Sequence, residues 1–156
     1  MYEKAAAEGI KRLKYGHALG FADFFGHFLA KQFEGYGRKS DIVVPVPLSW
    51  ERRVNRGYNQ SEWIAKAYCR ETGLTLCSNA LFKIRDTVSQ VELTHEERRR
   101  NLEGSFLAEP VFVRGKKVLL VDDVMTTGST FEVCTAALLE AGAKQVDCLS
   151  AATSHL

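Results

Sequence analysis

Four consecutive apolar residues, Val118, Leu119, Leu120 and Val121, stand directly before two carboxylates and a hydroxyl-rich run, Thr126-Thr127-Gly128-Ser129-Thr130. An apolar run without alternation has no face suited to water, so it predicts a parallel strand covered on both sides. In α/β sheets built from such strands, ligands gather beyond the strand carboxyl ends. Asp122 and Asp123 stand at that end, and a helical pattern from Phe131 to about Ala141 follows. Short hydroxyl side chains and a glycine at a helix start offer N–H and O–H donors and the positive end of the helix dipole, which suits a phosphate monoester. The acids cannot serve that phosphate directly; they suit hydrogen bonds from sugar hydroxyls or a hydrated Mg²⁺ that neutralises other phosphates. A capping box of Ser129 and Glu132 accounts for those two residues. It gives no reason for two neighbouring acids or for Thr127-Gly128.

At 156 residues, 46% hydrophobic and 26% charged, the chain suits one soluble α/β domain that buries roughly two-thirds of its unfolded surface. A formal charge of +2 is too small to argue for nucleic acid by itself. Cys69, Cys77, Cys134 and Cys148 are scattered singly, without metal-ligand spacing, and read as reduced, mostly buried residues of a cytoplasmic protein. The stretch from Ala18 to Phe33 is interrupted by Asp23, His27, Lys31 and Gln32, so no membrane span is expected. Asn59-Gln60-Ser61 matches a glycosylation sequon, by chance in a protein that is not secreted.

Residues 3–14 and 17–33 read as helices, the second rich in phenylalanine for a core or a share in a subunit interface. Ile42 to Val46 reads as a strand bounded by Pro45 and Pro47, followed by a loop carrying Arg52, Arg53, Arg56 and Gly57. A helix from about Gln60 to Glu71 turns Trp63, Ile64, Ala67 and Tyr68 inward. Ala80 to Ile84, Phe106 to Ala108, Val111 to Val113 and Val146 to Leu149 read as extended, with a polar irregular segment from Arg85 to Leu93 and a short helix opened by Thr94. Glycines end or separate several of these elements. The alternation predicts a mostly parallel sheet flanked by helices.

No G-x-x-x-x-G-K-[ST] or G-x-G-x-x-G occurs, which removes the commonest nucleotide loops. Three arginines beyond the first strand suit a pyrophosphate, whose oxygens planar guanidinium groups can grip. The solvated surface is the alternative for each of them.

The run from Val118 to Thr130 resembles the phosphoribosyl-pyrophosphate (PRPP) motif of type I phosphoribosyltransferases: apolar residues, two acids, then Thr-Gly-small-Thr. Arg56-Gly57-Tyr58-Asn59-Gln60 resembles the signature of the competence protein F (ComF) family, including GntX-like members. Leu13-Lys14-Tyr15, Arg85-Asp86-Thr87 with Gln90 and Leu93, and Glu97-Arg98 with Asn101 extend the likeness over nearly the whole chain. Family members commonly begin with a cysteine-rich, zinc-binding module, and none stands in this sequence; a short member and a trimmed piece are both open.

The resemblance implies one domain over 1–156, with N-terminal helices over 1–38 and a PRPP-binding core over 39–156. It implies Mg²⁺-dependent transfer of ribose 5-phosphate from PRPP to a nucleobase or other nitrogen acceptor, releasing pyrophosphate. Asp122 and Asp123 are the implied catalytic and metal residues, directly or through water. Thr126, Thr127, Gly128, Ser129 and Thr130 are the implied 5′-phosphate cradle, and Arg53 and Arg56 the pyrophosphate ligands. Arg85 joins the catalytic set, with Lys83 and Gln90 on a segment expected to close over PRPP. The other reading is a non-catalytic PRPP or nucleotide binder assisting DNA uptake or regulation; under either reading a second copy of the chain, as a homodimer, and the DNA-uptake machinery are the further partners expected. In the 6-oxopurine phosphoribosyltransferases that the motif also resembles, an aspartate stands two residues before the motif glycine, where this chain has Thr126.

Overall fold

The computed structural model describes residues 9, 20–34, 39–85 and 95–153, without the side chains of 33, 34, 95, 98 and 99. Its first described helix is α1 (Gly20–Glu34), followed by β1 (Ile42–Pro45), α2 (Trp50–Arg56), α3 (Gln60–Thr72), β2 (Thr75–Leu76) and β3 (Leu81–Lys83). Then come α4 (His95–Leu102), β4 (Phe106–Ala108), α5 (Pro110–Val113), β5 (Lys117–Met125), α6 (Ser129–Glu140) and β6 (Gln145–Thr153). A four-stranded parallel sheet has the order β2-β1-β5-β6. An antiparallel β3–β4 hairpin stands apart from it. The sheet is thus mostly parallel and flanked by helices, as the sequence predicts.

The apolar run behaves as its composition requires. Val118 and Leu120 pack with Phe131, Cys134 and Leu138 of α6, while Leu119 and Val121 pack with Phe25, Ile64 and Tyr68 of α1 and α3. All four strand residues are fully buried, so both faces of β5 are core. Helix α1 docks onto α3 through an Arg70–Asp23 ion pair and His27–Glu71 at 3.1 Å. Between them Gly26 lets the backbones meet: a Cβ there would lie 2.4 Å from Ala67 Cβ and 2.7 Å from the Tyr68 nitrogen.

Several sequence expectations are corrected. Arg52, Arg53 and Arg56 lie on helix α2, not in a loop; Ser49 caps it by accepting from the Arg52 N–H, and Gly57 closes it. Val111 to Val113 belongs to one helical turn led by Pro110, whose locked φ and missing N–H suit a first helical position. Strand β5 runs on through both acids to Met125, and Trp63 points outward with the Lys66 ammonium 5.3 Å from its ring centre. Of the cysteines only Cys134 is buried; Cys69 and Cys77 are half-buried and Cys148 is exposed. On α1, Phe25 and Leu29 enter the core, whereas Phe24 and Phe28 are exposed and stack on each other. Helix 3–14 apart from the helical Gly9, the glycines at 35 and 37, residues 86–93 and the Thr94 cap lie outside the described residues. Among those described, no helix is long and apolar enough to cross a membrane.

The Gly26 contact gives a stability prediction. Gly26→Ala must push α1 away from α3 backbone, so urea unfolding should show a loss of about 1–3 kcal/mol. An unchanged midpoint would contradict this packing.

Candidate functional site

Parallel pairing brings the ends of β1 and β5 to one edge of the sheet, with Pro45 opposite Val121 and the Val46 N–H donating to the Val121 carbonyl at 2.8 Å. The polypeptide leaves both strands there, and the site assembles from the two exits.

From β5 come the acids. Asp123 is 4% exposed and its Oδ1 accepts from the Val124 N–H at 2.7 Å. Asp122 is half-buried; its Oδ1 accepts from the Asp123 N–H at 2.8 Å and from Ser61 Oγ at 2.8 Å. Thr126 is exposed, Thr127, Gly128 and Thr130 are half-buried, and Ser129 is buried. Thr127 Oγ1 and Ser129 Oγ share a hydrogen bond of 2.9 Å, and the Ser129 N–H points to Thr127 Oγ1 at 3.5 Å. Helix α6 opens on Gly128, in the left-handed region at φ 83°, with no side-chain cap. The Ser129–Glu132 capping box therefore does not describe this helix start. Behind the loop, burial first and the Asp122 charge second push the Cys134 thiol well above its ordinary value. It stays neutral, a core residue rather than a nucleophile.

From β1 comes the first turn of α3. Asn59 caps that helix by accepting from the Ser61 N–H at 3.0 Å, and its Nδ2 donates to the Val46 carbonyl at 3.0 Å. With Asn59 only 4% exposed and its amide so engaged, the sequon match has no accessible acceptor. Arg56 donates to Gln60 Oε1 at 2.5 Å, and exposed Arg53 pairs with Glu62 at 3.7 Å. A cleft of about 250 Å³ opens beside β1, lined in part by Pro47, Trp50, Arg53, Asn59, Glu62 and Lys83. Neither acid nor the motif loop lines it.

The hairpin holds the remaining candidates. Arg85 is exposed and donates to the Glu103 carbonyl at 2.6 Å, while the Lys83 ammonium lies 5.8 Å from the Phe106 ring centre. Gln90 lies outside the described residues. Asn59, Gln60 and Ser61 are the residues sequence reasoning did not assign to the site. Their signal was present, since Asn59-Gln60 completes the signature that carries the family resemblance, but the Ser61–Asp122 contact spans 61 positions of chain.

Two carboxylates beside a phosphate-suited loop are a hard, oxygen-only donor set. Among the described residues no group of three or more His, Cys, Asp or Glu side chains could hold a metal. The pair nevertheless fits Mg²⁺, which usually takes one or two carboxylates and completes its shell with water and substrate phosphates.

Residues 70–155 match the phosphoribosyl transferase domain family, more than half of the chain, and the chain belongs to that family. It is 39% identical over 111 residues to the DNA utilization protein YhgH of Escherichia coli K12, covering 70% of this chain and 48% of that protein. It is 30% identical over 154 residues to the competence protein ComFC of Streptococcus pneumoniae, covering 96% of this chain and 64% of that protein. The resemblance read from the Arg56–Gln60 signature thus holds. The chain spans about half the length of the first of these relatives. Among solved structures, the glutamine PRPP amidotransferase of B. subtilis, complexed with ADP and GMP, superposes with a TM-score of 0.59 at 24% identity. That match covers 83% of this chain and 26% of the amidotransferase, and shows the shared fold.

A Cβ at Gly128 would meet no heavy atom within 4 Å, so only its backbone angle demands glycine. Gly128→Ala should cost about 1–2 kcal/mol, the strain of a left-handed residue bearing a Cβ, and Gly128→Asn less. Denaturant titration of the three proteins checks both the loss and its order.

Proposed function

We propose that the protein is a Mg²⁺-dependent phosphoribosyltransferase that binds PRPP, transfers ribose 5-phosphate to a nitrogen acceptor and releases pyrophosphate. The observation that carries this reading is the meeting, at one sheet edge, of a half-buried and a buried acid with a hydroxyl-rich loop that opens a helix. The acids and the loop lie within the family-matched residues 70–155.

The bond from the anomeric carbon to the pyrophosphate oxygen breaks, a bond to the acceptor nitrogen forms, and that nitrogen gives up a proton. When bound, Mg²⁺ would supply positive charge that offsets the charge of the pyrophosphate. Asp122 and Asp123 would hold the ion, directly or through water, and accept hydrogen bonds from the ribose hydroxyls. Thr126, Thr127, Gly128, Ser129 and Thr130 hold the 5′-phosphate with N–H and O–H donors at the start of α6. Arg53 and Arg56 grip the departing pyrophosphate, and Arg85 adds positive charge to it once it turns from the Glu103 carbonyl. Charge stabilisation and positioning do the work, because no residue need form a covalent bond. The four free cysteines suit a reducing cytoplasm.

A second reading is a PRPP- or nucleotide-binding protein without transferase activity that assists DNA uptake or regulation. The names of the relatives, a DNA utilization protein and a competence protein, favour it. Incubating the protein with PRPP, Mg²⁺ and a panel of bases while following pyrophosphate separates the two. Release that depends on a base supports the transferase.

Calorimetry should show PRPP binding that requires Mg²⁺ and weakens at least about tenfold, near 1.4 kcal/mol, in Asp123→Asn. Equal affinity with and without metal, in parent and variant alike, would remove the acids from the reading. The acceptor is also constrained. Thr126 stands where the 6-oxopurine enzymes carry an aspartate, and a neutral hydroxyl cannot take a proton from a purine near neutral pH. Hypoxanthine and guanine should therefore turn over far below about 1 s⁻¹; ordinary rates with either would overturn this restriction.

A further inference from the structure

We infer that Ser61 is a positioning residue that sets the orientation of Asp122 and ties it to the Arg56 side of the site. The inference rests on the PRPP reading above. Ser61 is 1% exposed in the first turn of α3, and its Oγ donates to Asp122 Oδ1 at 2.8 Å. The Asp123 N–H reaches the same oxygen at 2.8 Å. Two donors from separate elements on one oxygen constrain the orientation of the carboxylate more tightly than the strand neighbour does.

Helix capping does not explain this hydroxyl. Serine is common at helix starts because its oxygen accepts from a backbone N–H, but Asn59 already fills that role here, accepting from the N–H of Ser61 itself. The Ser61 hydroxyl instead gives its proton to an acid on the neighbouring strand. Adjacent residues hold the same turn in place. Asn59 binds the Val46 carbonyl at the end of β1, and Gln60 accepts from Arg56 at 2.5 Å. Three successive buried residues thus connect to β1, to α2 and to β5 in turn.

The chemical consequence lies in distance. On the PRPP reading the Asp122 carboxylate would serve the ribose hydroxyls and metal and Arg56 the leaving pyrophosphate, so both groups would be referenced to one helical turn. Small misplacements of such groups are costly in rate and affinity. A serine hydroxyl that orients Asp122 should matter only while position 122 carries an oxygen able to accept its hydrogen bond, which Asp122→Ala removes.

A double-mutant cycle tests this. PRPP affinity in Mg²⁺ is measured by calorimetry for the parent, Ser61→Ala, Asp122→Ala and the double variant, with Ser61→Thr as the conservative control and melting curves of the ligand-free proteins alongside. Ser61→Ala should weaken binding about fivefold or more and add less than about twofold in the Asp122→Ala background. Ser61→Thr, which keeps the hydroxyl, should recover most of the affinity. Equal losses in both backgrounds, or a loss that follows the melting temperature across all variants, would make Ser61 a packing residue and overturn the inference. Unchanged affinity in Ser61→Ala would overturn it while leaving the PRPP reading intact. A folded parent that binds no PRPP with Mg²⁺ overturns the reading of the site and the inference with it.

Discussion

The parallel pairing of β1 with β5 is the constraint on which the site depends. Because Ile42 to Pro45 runs alongside Val118 to Val121 in the same direction, the polypeptide leaves both strands at one edge. An antiparallel pair would send those exits to opposite ends of the sheet, and the acids could not meet the turn that follows β1. Register matters as much as direction. Val118 and Leu120 serve one core while Leu119 and Val121 serve the other, so a slip of one residue would exchange every side chain between faces. Fully burying a valine or leucine contributes about 1.5–3 kcal/mol, and four in succession hold the strand rigidly. The acids that follow inherit that rigidity.

Polarity in the interior is concentrated where the two exits meet. Ser49, Asn59, Gln60, Ser61, Asp123 and Ser129 are all buried, and they cluster around α2, the start of α3, the end of β5 and the motif loop. Burying polar groups costs stability unless hydrogen bonds compensate. Here the first turn of α3 supplies those bonds, to the Val46 carbonyl, to Arg56 and to Asp122. An apolar filling would hold the edge together with less demanding geometry. A polar network that departs from the apolar rule of the rest of the core is where function is expected.

Legibility followed burial. The motif strand and both acids were readable because a run without alternation has few alternatives, and α3 was readable because its inner face repeats with helical period. Helix α2 escaped because none of its residues is buried, so it carries no apolar period; only its ends, Ser49 and Gly57, signal it. Val111 to Val113 read as extended because β-branched residues favour strands, yet Pro110 starts a helical turn there. Trp63 reads as inward because it shares the helical spacing of Ile64, Ala67 and Tyr68, but it stands at the margin of that face and the helix turns it to the surface beneath Lys66.

By itself the sequence determined the α/β class, the order of the main elements and the chemistry of the phosphate-suited loop, because these depend on local period, local charge and local turn residues. Tertiary structure decided which distant residues share an oxygen or a backbone contact. Ser61 reaches Asp122 across 61 positions, and Gly26 admits the Ala67–Tyr68 backbone at less than a normal contact distance for any side chain. Neither relation leaves a periodic trace, since each arises only when two cores close on the same strand.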